Sequence, residues 1–220
     1  MDRWDAAAVL LDNDGVLVDS TRAGEAAWSQ WSSAHGLDPA VVLDGIHGRR
    51  SRETVARFLP ADEVEAATAR IDALELTAAA STQPIPGAAE LLHQLPEAAQ
   101  ALVTSGPRVL AVARLRAAGL PVPTVVVSSE DVDAGKPAPD PYLLAGHRLG
   151  LDLGRCIVVE DSPLGITAAR SARAGWVLGV GDSARDQGCD AVVADLTAVR
   201  WTGAGLQLLR TLERAGQPTG

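Results

Sequence analysis

Residues 6–15 read AAAVLLDNDG, an apolar run that ends in two aspartates and a glycine. The run has the composition of a buried β-strand, and its end places Asp12 and Asp14 two residues apart. Alternate side chains of an extended chain share a face, so both carboxylates can meet one cation or one reacting group. One carboxylate can then attack as a nucleophile while the other handles a proton. Taken alone, these residues are equally compatible with a solvated turn, which Asp-Gly pairs often form.

Four further apolar runs follow this segment, and helix-length stretches separate them. That order predicts βαβ units on a parallel sheet, and therefore an α/β fold. In such sheets ligands bind at the carboxyl ends of the strands, where polar residues follow the apolar ones in this chain. We therefore expect one site built from several strand ends. The runs are ALVTS at 101–105, TVVVSS at 124–129, CIVVED at 156–161 and GWVLGV at 175–180.

A stretch of different character separates the first strand from the others. From residue 20 to residue 81 the pattern is helical throughout. The segment QPIPG at 83–87 is a stiff linker, because each proline disfavours helix in the residue before it. The sequence therefore predicts a core domain of residues 1–17 and 85–220, with a helical domain inserted at 18–84.

Composition excludes several classes of partner. The net charge of −9 over 220 residues argues against nucleic acid, because binding a phosphate backbone normally needs a basic face. Small phosphorylated ligands remain compatible, since one metal ion and a few placed cations reverse the local field. No apolar run approaches the roughly 20 residues that cross a bilayer, and the N-terminus does not resemble a signal peptide. We expect a cytoplasmic monomer without a membrane partner, in which Cys156 and Cys189 stay reduced.

Four motifs occur in order along nearly the whole chain: DNDGV at 12–16, VTSG at 103–106, GKPAPD at 135–140 and VVEDSPLG at 158–165. In this arrangement the chain resembles phosphatases of the haloacid dehalogenase superfamily. The resemblance implies a Rossmann-like three-layer core with a parallel sheet and an inserted all-α helical cap. It also implies a magnesium-dependent hydrolase of phosphomonoesters that forms an aspartyl-phosphate intermediate with a small phosphorylated metabolite.

The resemblance also assigns roles to the residues of the core motifs. Asp12 matches the nucleophile, and Asp14 matches the acid/base that protonates the leaving oxygen and later activates water. Thr104 matches the hydroxyl that binds the transferring phosphoryl group, although an ordinary strand threonine is the alternative. Lys136, the only lysine in the chain, matches the cation that neutralises both phosphate and nucleophile. The phosphate-binding residues expected from the resemblance are Thr104, Ser105, Gly106 and Lys136.

The last motif completes a magnesium site in this resemblance. Asp161 matches a direct ligand of Mg²⁺, Glu160 a ligand of the ion or of its water, and Asp14 contributes its backbone carbonyl. The same Glu-Asp pair is also suited to start the helix that the following Ser-Pro pair predicts. Asn13 departs from the pattern, because relatives usually carry an apolar residue there. The expected metal ligands are Asp12, Asp14, Glu160 and Asp161.

Two segments of the insert, DSTRAGEAAWSQWSSAHGL at 19–37 and DGIHGRRSRETVARFLP at 44–60, look like the sugar-phosphatase branch of this superfamily. That branch includes bacterial hexitol phosphatases and yeast deoxyglucose-phosphate and glycerol-phosphate phosphatases. The resemblance implies that basic residues of the cap face the substrate, whereas solvated positions at a loop and a helix start are the alternative. These residues are His47, Arg49, Arg50 and Arg52.

Other functions are compatible with parts of this pattern. A β-phosphoglucomutase has a similar cap, but the histidine that helps its phosphoryl transfer corresponds to Gly24 here. A dehalogenase would lack the second acid, Asp14, and a phosphonate hydrolase needs a cap lysine, which the insert lacks. A non-catalytic binding protein on the same fold also stays open, although no motif is broken. Hexitol, hexose, deoxysugar and glycerol phosphates all remain possible substrates.

Overall fold

The computed structural model describes residues 2–214, which form one seven-stranded sheet, two smaller sheets and several helices. In chain order the strands are β1 (Arg3–Asp5), β2 (Ala8–Leu11), β3 (Val18–Asp19), β4 (Gln83–Pro84), β5 (Gln100–Val103), β6 (Val125–Val127), β7 (Cys156–Glu160), β8 (Trp176–Val180), β9 (Ala191–Val193), β10 (Val199–Trp201), β11 (Gly205–Leu208) and β12 (Glu213–Arg214). The α-helices are α1 (Thr21–Ala34), α2 (Pro39–Leu43), α3 (Ser51–Val55), α4 (Val64–Ala78), α5 (Ala88–Gln94), α6 (Arg108–Ala117), α7 (Asp140–Leu149) and α8 (Pro163–Ser171).

The large sheet forms the centre of the core, in the spatial order β12-β9-β8-β7-β2-β5-β6. Neighbouring strands are parallel except for β9 and β12. All residues of β2 and β7 are buried, as expected of a parallel sheet covered on both faces. The predicted three-layer α/β fold with a parallel sheet is therefore confirmed. The four later apolar runs form β5, β6, β7 and β8, each shorter than its run.

The order of the strands determines where polar residues meet. The chain places β5 on one side of β2 and β7 on the other, so the carboxyl ends of these three strands are neighbours. Asp12 follows β2 directly, Thr104 follows β5, and Glu160 is the last residue of β7. A change of direction in the strand order creates a crevice at this edge, which is the usual place for a ligand.

Helices α1 to α4 and their connections form a helical unit with its own apolar cluster, separate from that of the core. Trp31 and Ile71 are fully buried in this cluster. The indole Nε1 of Trp31 donates to the carbonyl of Ala67 at 2.9 Å and so ties α1 to α4. The prediction of a helical stretch between the first strand and the rest of the sheet is confirmed.

A two-stranded ribbon connects the helical unit to the core. Strands β3 and β4 pair antiparallel, with Val18 opposite Pro84 and Asp19 opposite Gln83. The segment predicted as a stiff linker therefore begins as one strand of this ribbon. The ribbon lies at the predicted boundaries of the insert, and the division into a core domain at 1–17 and 85–220 and a cap domain at 18–84 remains a prediction.

A three-stranded antiparallel sheet, β1-β11-β10, joins segments from near the two ends of the described chain. The ring of Trp4 stacks on that of Trp176 in β8, with centroids 5.0 Å apart. The sequence pattern does not indicate this sheet, because its strands are short and distant in the chain. None of the helices within residues 2–214 is both long enough and apolar enough to cross a membrane.

Candidate active site

A cavity opens at the carboxyl ends of β2 and β5, between the core and the helical unit. Its empty volume is about 750 Å³ including the open mouth. The core contributes Asp12, Asp14, Thr104, Ser105, Gly106, Arg114 and Asp161 to its lining, and the helical unit contributes Glu25, Trp28, His47, Arg49 and Glu75.

Lys136 is buried where three strands end. Its Nζ donates to Oδ1 of Asp12 at 2.5 Å, to Oε1 of Glu160 at 2.6 Å and to the carbonyl of Val103 at 3.1 Å. These bonds use all three donors of the ammonium group. Direct contact between Lys136 and a phosphate oxygen stays a prediction, because in this structure the donors of Lys136 serve protein oxygens. Its charge can act on a phosphate through Asp12.

Asp12 keeps one oxygen available. Its Oδ1 accepts from Lys136, and its Oδ2 accepts no hydrogen bond from the residues that the structure describes. Burial raises the pKa of Asp12 to about 7, although Lys136 opposes the shift. Burial by itself lowers the pKa of Lys136, but Asp12 and Glu160 outweigh burial and raise it. The lysine therefore stays charged and supports the ionised form of Asp12.

Glu160 is fully buried, and both of its oxygens are occupied. Oε1 accepts from Lys136 and, at 2.7 Å, from the hydroxyl of Tyr142, a residue that the sequence analysis does not include. Oε2 accepts from the hydroxyl of Ser162 at 3.0 Å and from the backbone N–H groups of Asp161 and Ser162 at 3.1 Å. Five donors exceed the roughly four lone-pair sites of a carboxylate. Of the two expected roles for Glu160, this geometry favours contact with a metal through water.

Three carboxylates lie close enough to hold a cation. Asp12, Glu160 and Asp161 each offer an oxygen, and these atoms lie within 4.8 Å of one another. Burial raises the pKa of Asp161 well above its usual value, and the charges of Glu160 and Asp12 add to that effect. One lysine balances only part of this negative charge, and Mg²⁺ prefers such hard oxygen donors. The residues present therefore fit a bound divalent cation, with Asp12 and Asp161 as the side chains free to reach it.

Gly15 packs directly against Asp161. A Cβ at Gly15 would lie 2.0 Å from Oδ2 of Asp161, and the φ of Gly15 is +83°, in the left-handed region. Only glycine meets both conditions without strain. The first motif therefore also sets the position of an acid from the last one.

Asp14 is held by three side chains. The hydroxyl of Ser20 donates to its Oδ1 at 2.5 Å, and Nη1 of Arg114 donates to the same oxygen at 2.9 Å. The amide of Asn13 donates to Oδ2 at 3.1 Å. Asn13 is fully buried, and its own Oδ1 has no partner within the described part of the chain. The unusual residue of the first motif thus contacts the predicted acid/base.

Arg114 is a cavity residue that the sequence analysis misses. It lies on α6, and its Nη2 donates to Oε1 of Glu75 on α4 at 2.9 Å. Burial raises the pKa of Glu75, although Arg114 opposes the shift. The sequence carries no signal for this role, because the nearby Arg116 on the same helix is exposed and the two arginines look alike in the pattern.

The loop after β5 lies where the sequence predicts it, in the cavity lining. Thr104 is buried, and its Oγ1 accepts from the N–H of Gly106 at 3.0 Å. The hydroxyl of Ser105 donates to the carbonyl of Gly48 at 2.8 Å and so links the core to the helical unit. The hydroxyl of Thr104 and the loop N–H groups are donors of the kind that bind anions.

The four basic residues expected to face a substrate do not all reach the cavity. His47 and Arg49 line it. The guanidinium of Arg50 instead donates to two backbone carbonyls of the core loop at 132–133, at distances of 2.9 and 3.0 Å. Arg52 is exposed on α3. The structure differs from the expectation because consecutive residues at a helix start project in different directions, so one ligand cannot meet the whole run.

A parallel α/β core with an acid-rich cavity at its strand ends is typical of an enzyme that binds a small ligand. The family model of the haloacid dehalogenase-like hydrolases matches residues 6–173. The chain belongs to this family of hydrolases.

Relatives of known name lie within the same family. The chain is 42% identical to hexitol phosphatase A of Escherichia coli (strain K12) over 168 residues, which cover 74% of this chain and 78% of that protein. It is 36% identical to validoxylamine A 7'-phosphate phosphatase of Streptomyces hygroscopicus subsp. limoneus over 211 residues, 89% of this chain and 97% of the relative. A β-phosphoglucomutase structure from Clostridium difficile matches with a TM-score of 0.77 over 87% of this chain and 92% of that one. At 19% identity, this last likeness concerns the fold alone.

Gly15→Ala tests the metal site without touching a carboxylate. In the wild type we expect Mg²⁺ to raise the Tm, because a ligand that binds only the folded state stabilises it. In Gly15→Ala the new Cβ displaces Asp161, so this Mg²⁺-dependent rise should be lost. Differential scanning calorimetry with and without Mg²⁺ measures the Tm shift of the wild type and of Gly15→Ala.

Gly36→Ala is the matched control for this substitution. Gly36 also has a left-handed φ, +68°, but no described atom lies within 4 Å of its Cβ position. The left-handed backbone conformation lowers the stability of each alanine variant by about 1–2 kcal/mol. Only Gly15→Ala should lose the response to Mg²⁺, and an undiminished response there would contradict the assigned place of Asp161.

Proposed function

We propose that this protein is a magnesium-dependent phosphomonoesterase that acts on a small phosphorylated sugar or polyol through an aspartyl-phosphate on Asp12. The observation that carries the proposal is the pair of aspartates after β2. Asp12 has Lys136 on one oxygen and the other oxygen free, and Asp14 lines the same cavity. A nucleophile and an acid/base two residues apart are what phosphoryl transfer through a covalent intermediate requires.

In the first step the free oxygen of Asp12 attacks phosphorus, and the bond from phosphorus to the leaving oxygen breaks. Asp14 gives its proton to that oxygen, and the alcohol departs. The hydroxyl of Thr104 and the N–H group of Ser105 hold the other phosphoryl oxygens, and the N–H of Gly106 orients Thr104 by donating to its Oγ1. Lys136 favours the ionised form of Asp12, because its charge lies 2.5 Å from Oδ1.

In the second step Asp14 takes a proton from water, and the water oxygen attacks phosphorus. The bond between phosphorus and Asp12 breaks, which releases inorganic phosphate and regenerates the carboxylate. Mg²⁺ held by Asp12, Asp161 and the carbonyl of Asp14, with Glu160 contacting its water, would offset the repulsion between these acids and the phosphate.

The substrate end of the cavity is polar on the side of the helical unit. Glu25 presents a carboxylate, and His47 and Arg49 present nitrogen donors. Carboxylates and nitrogen donors together suit the hydroxyl groups of a sugar or polyol. The names of the relatives, a hexitol phosphatase and a validoxylamine phosphate phosphatase, support the same substrate class. In this proposal residues 18–84 are a cap that selects the substrate.

Water, rather than a second sugar, accepts the phosphoryl group in this proposal. At Gly24, where a mutase carries its helper histidine, no side chain is present to orient a sugar hydroxyl. A Cβ there would lie 3.8 Å from Oε1 of Glu75 and 4.0 Å from Nη2 of Arg114. Glu75 and Arg114 bond to each other, so neither is free to orient a sugar hydroxyl at this point. This contact supports hydrolysis over transfer.

Phosphate release from a panel of sugar and polyol phosphates tests the proposal. We expect release from at least one hexose or hexitol 6-phosphate, and loss of release when a chelator removes Mg²⁺. Asp12→Asn should lower kcat by a factor of about 10³ or more, because the amide is not a nucleophile. A malachite-green assay measures free phosphate.

Two outcomes of this assay would contradict the proposal. A folded Asp12→Asn protein with wild-type turnover would exclude the covalent step. Conversion of β-glucose 1-phosphate to glucose 6-phosphate, primed by glucose 1,6-bisphosphate and without phosphate release, would indicate the mutase. Absence of both reactions would leave a non-catalytic binding protein.

Arg49→Ala should change the ranking of substrates. Binding energy from the cap acts only on substrates that reach it. We therefore expect kcat/KM to fall about 10-fold for the preferred sugar phosphate and to change little for p-nitrophenyl phosphate. Arg52→Ala is the control, since Arg52 is exposed and lies outside the cavity lining. An equal loss for both substrates in Arg49→Ala would remove Arg49 from substrate selection.

A further inference from the structure

Arg114 joins two carboxylates from different parts of the molecule. Its side chain is only 6% exposed, and two of its nitrogens lie 2.9 Å from Oδ1 of Asp14 and 2.9 Å from Oε1 of Glu75. Its third nitrogen, Nε, is buried and has no hydrogen-bond partner among residues 2–214. The hydrogen bonds of the guanidinium group to side chains thus all go to Asp14 and Glu75.

The contact with Arg114 restricts the orientation of Asp14. Oδ1 of Asp14 has two donors, Ser20 and Arg114, whereas Oδ2 has the amide of Asn13. The terminal torsion of an aspartate is otherwise broad, so a carboxylate held only by the Ser20 hydroxyl and the Asn13 amide keeps more freedom to rotate. A planar guanidinium on the same oxygen limits that rotation. Oδ2 then becomes the oxygen available for proton transfer in the cavity.

A purely structural role does not explain where this ion pair lies. Buried ion pairs contribute little net stability, because desolvation of the charges offsets their attraction. Arg114, Asp14 and Glu75 all line the cavity, where the reaction of the proposed function takes place. The arrangement is therefore better explained by what it does to Asp14.

Glu75 lies on the opposite side of the boundary between the two parts of the chain. It belongs to α4 of the helical unit, which the β3–β4 ribbon connects to the core, whereas Arg114 belongs to α6 of the core. If the helical unit moved away from the core, Arg114 would lose one of its two partners. The hold of Arg114 on Asp14 thus depends on the position of the helical unit.

We propose that Arg114 is a positioning residue that orients Asp14 for proton transfer, and that Glu75 acts on Asp14 only through Arg114. The acid is then fully oriented only while the helical unit lies against the core. This inference rests on the proposed function and adds to it a coupling between closure of the cavity and the acid step.

The test compares two aryl phosphates of similar shape in the presence of Mg²⁺. p-Nitrophenolate leaves without a proton, whereas phenolate needs one, so a poorly oriented acid slows phenyl phosphate more. We expect Arg114→Gln to lower kcat/KM for phenyl phosphate about 10-fold more than kcat/KM for p-nitrophenyl phosphate. Glu75→Gln should act in the same direction with a smaller effect. In the Arg114→Gln background, Glu75→Gln should add nothing to this difference.

The variants also control for folding. Arg114→Gln alone leaves Glu75 buried without its cation, whereas the double variant with Glu75→Gln removes both charges together. Arg116→Gln makes the same change at an exposed position of the same helix and should leave both rates unchanged. Arg114→Lys keeps the charge and should restore part of the rate with phenyl phosphate.

Equal losses for the two aryl phosphates in Arg114→Gln and in the double variant would overturn the inference and leave the proposed function intact. A Glu75→Gln effect that persists in the Arg114→Gln background would overturn the part that concerns Glu75. A wild-type protein that releases phosphate from neither compound would overturn the proposed function, and the inference with it.

Discussion

The buried ammonium group of Lys136 is the contact on which the rest of the site depends. It bonds to Asp12 after β2, to the carbonyl of Val103 at the end of β5 and to Glu160 at the end of β7, so one group ties three neighbouring strand ends together. Taking a lysine and two carboxylates out of water costs several kcal/mol for each ion, and only close contacts between them offset it. Backbone pairing places these strands side by side, and the charge of Lys136 holds the polar groups at their ends together.

The acids around Lys136 differ in which of their oxygens are available. Both oxygens of Glu160 accept hydrogen bonds, from Lys136, from Tyr142 and from the start of α8. Glu160 therefore supports the site from within the core. Asp12 accepts a hydrogen bond from Lys136 on one oxygen, and its other oxygen stays available. Asp161 lies against Gly15 at the cavity. Three acids close together thus differ in role because their hydrogen bonds differ, and the sequence spacing does not show this difference.

The sequence predicts the residues whose positions follow from topology. Asp12, Asp14 and Thr104 meet because parallel strands bring their carboxyl ends to one edge, and short apolar runs are enough to indicate those strands. Arg114 escapes prediction, because its partner Asp14 lies 100 residues away and its contact depends on how α6 and α4 pack. The split between Arg49, which lines the cavity, and its neighbours likewise depends on the start of α3 and not on residue type.

In the proposed mechanism Asp12, with Lys136 on one oxygen, carries the phosphoryl group. Rapid acid quenching of the enzyme during turnover, followed by borohydride reduction, converts an aspartyl-phosphate to homoserine, which peptide mass spectrometry locates. We predict homoserine at position 12 in the wild type turning over a sugar phosphate, and none without substrate. Homoserine at another aspartate, or unmodified Asp12 in an enzyme that accumulates phosphate under conditions where water attack is rate-limiting, would contradict the account.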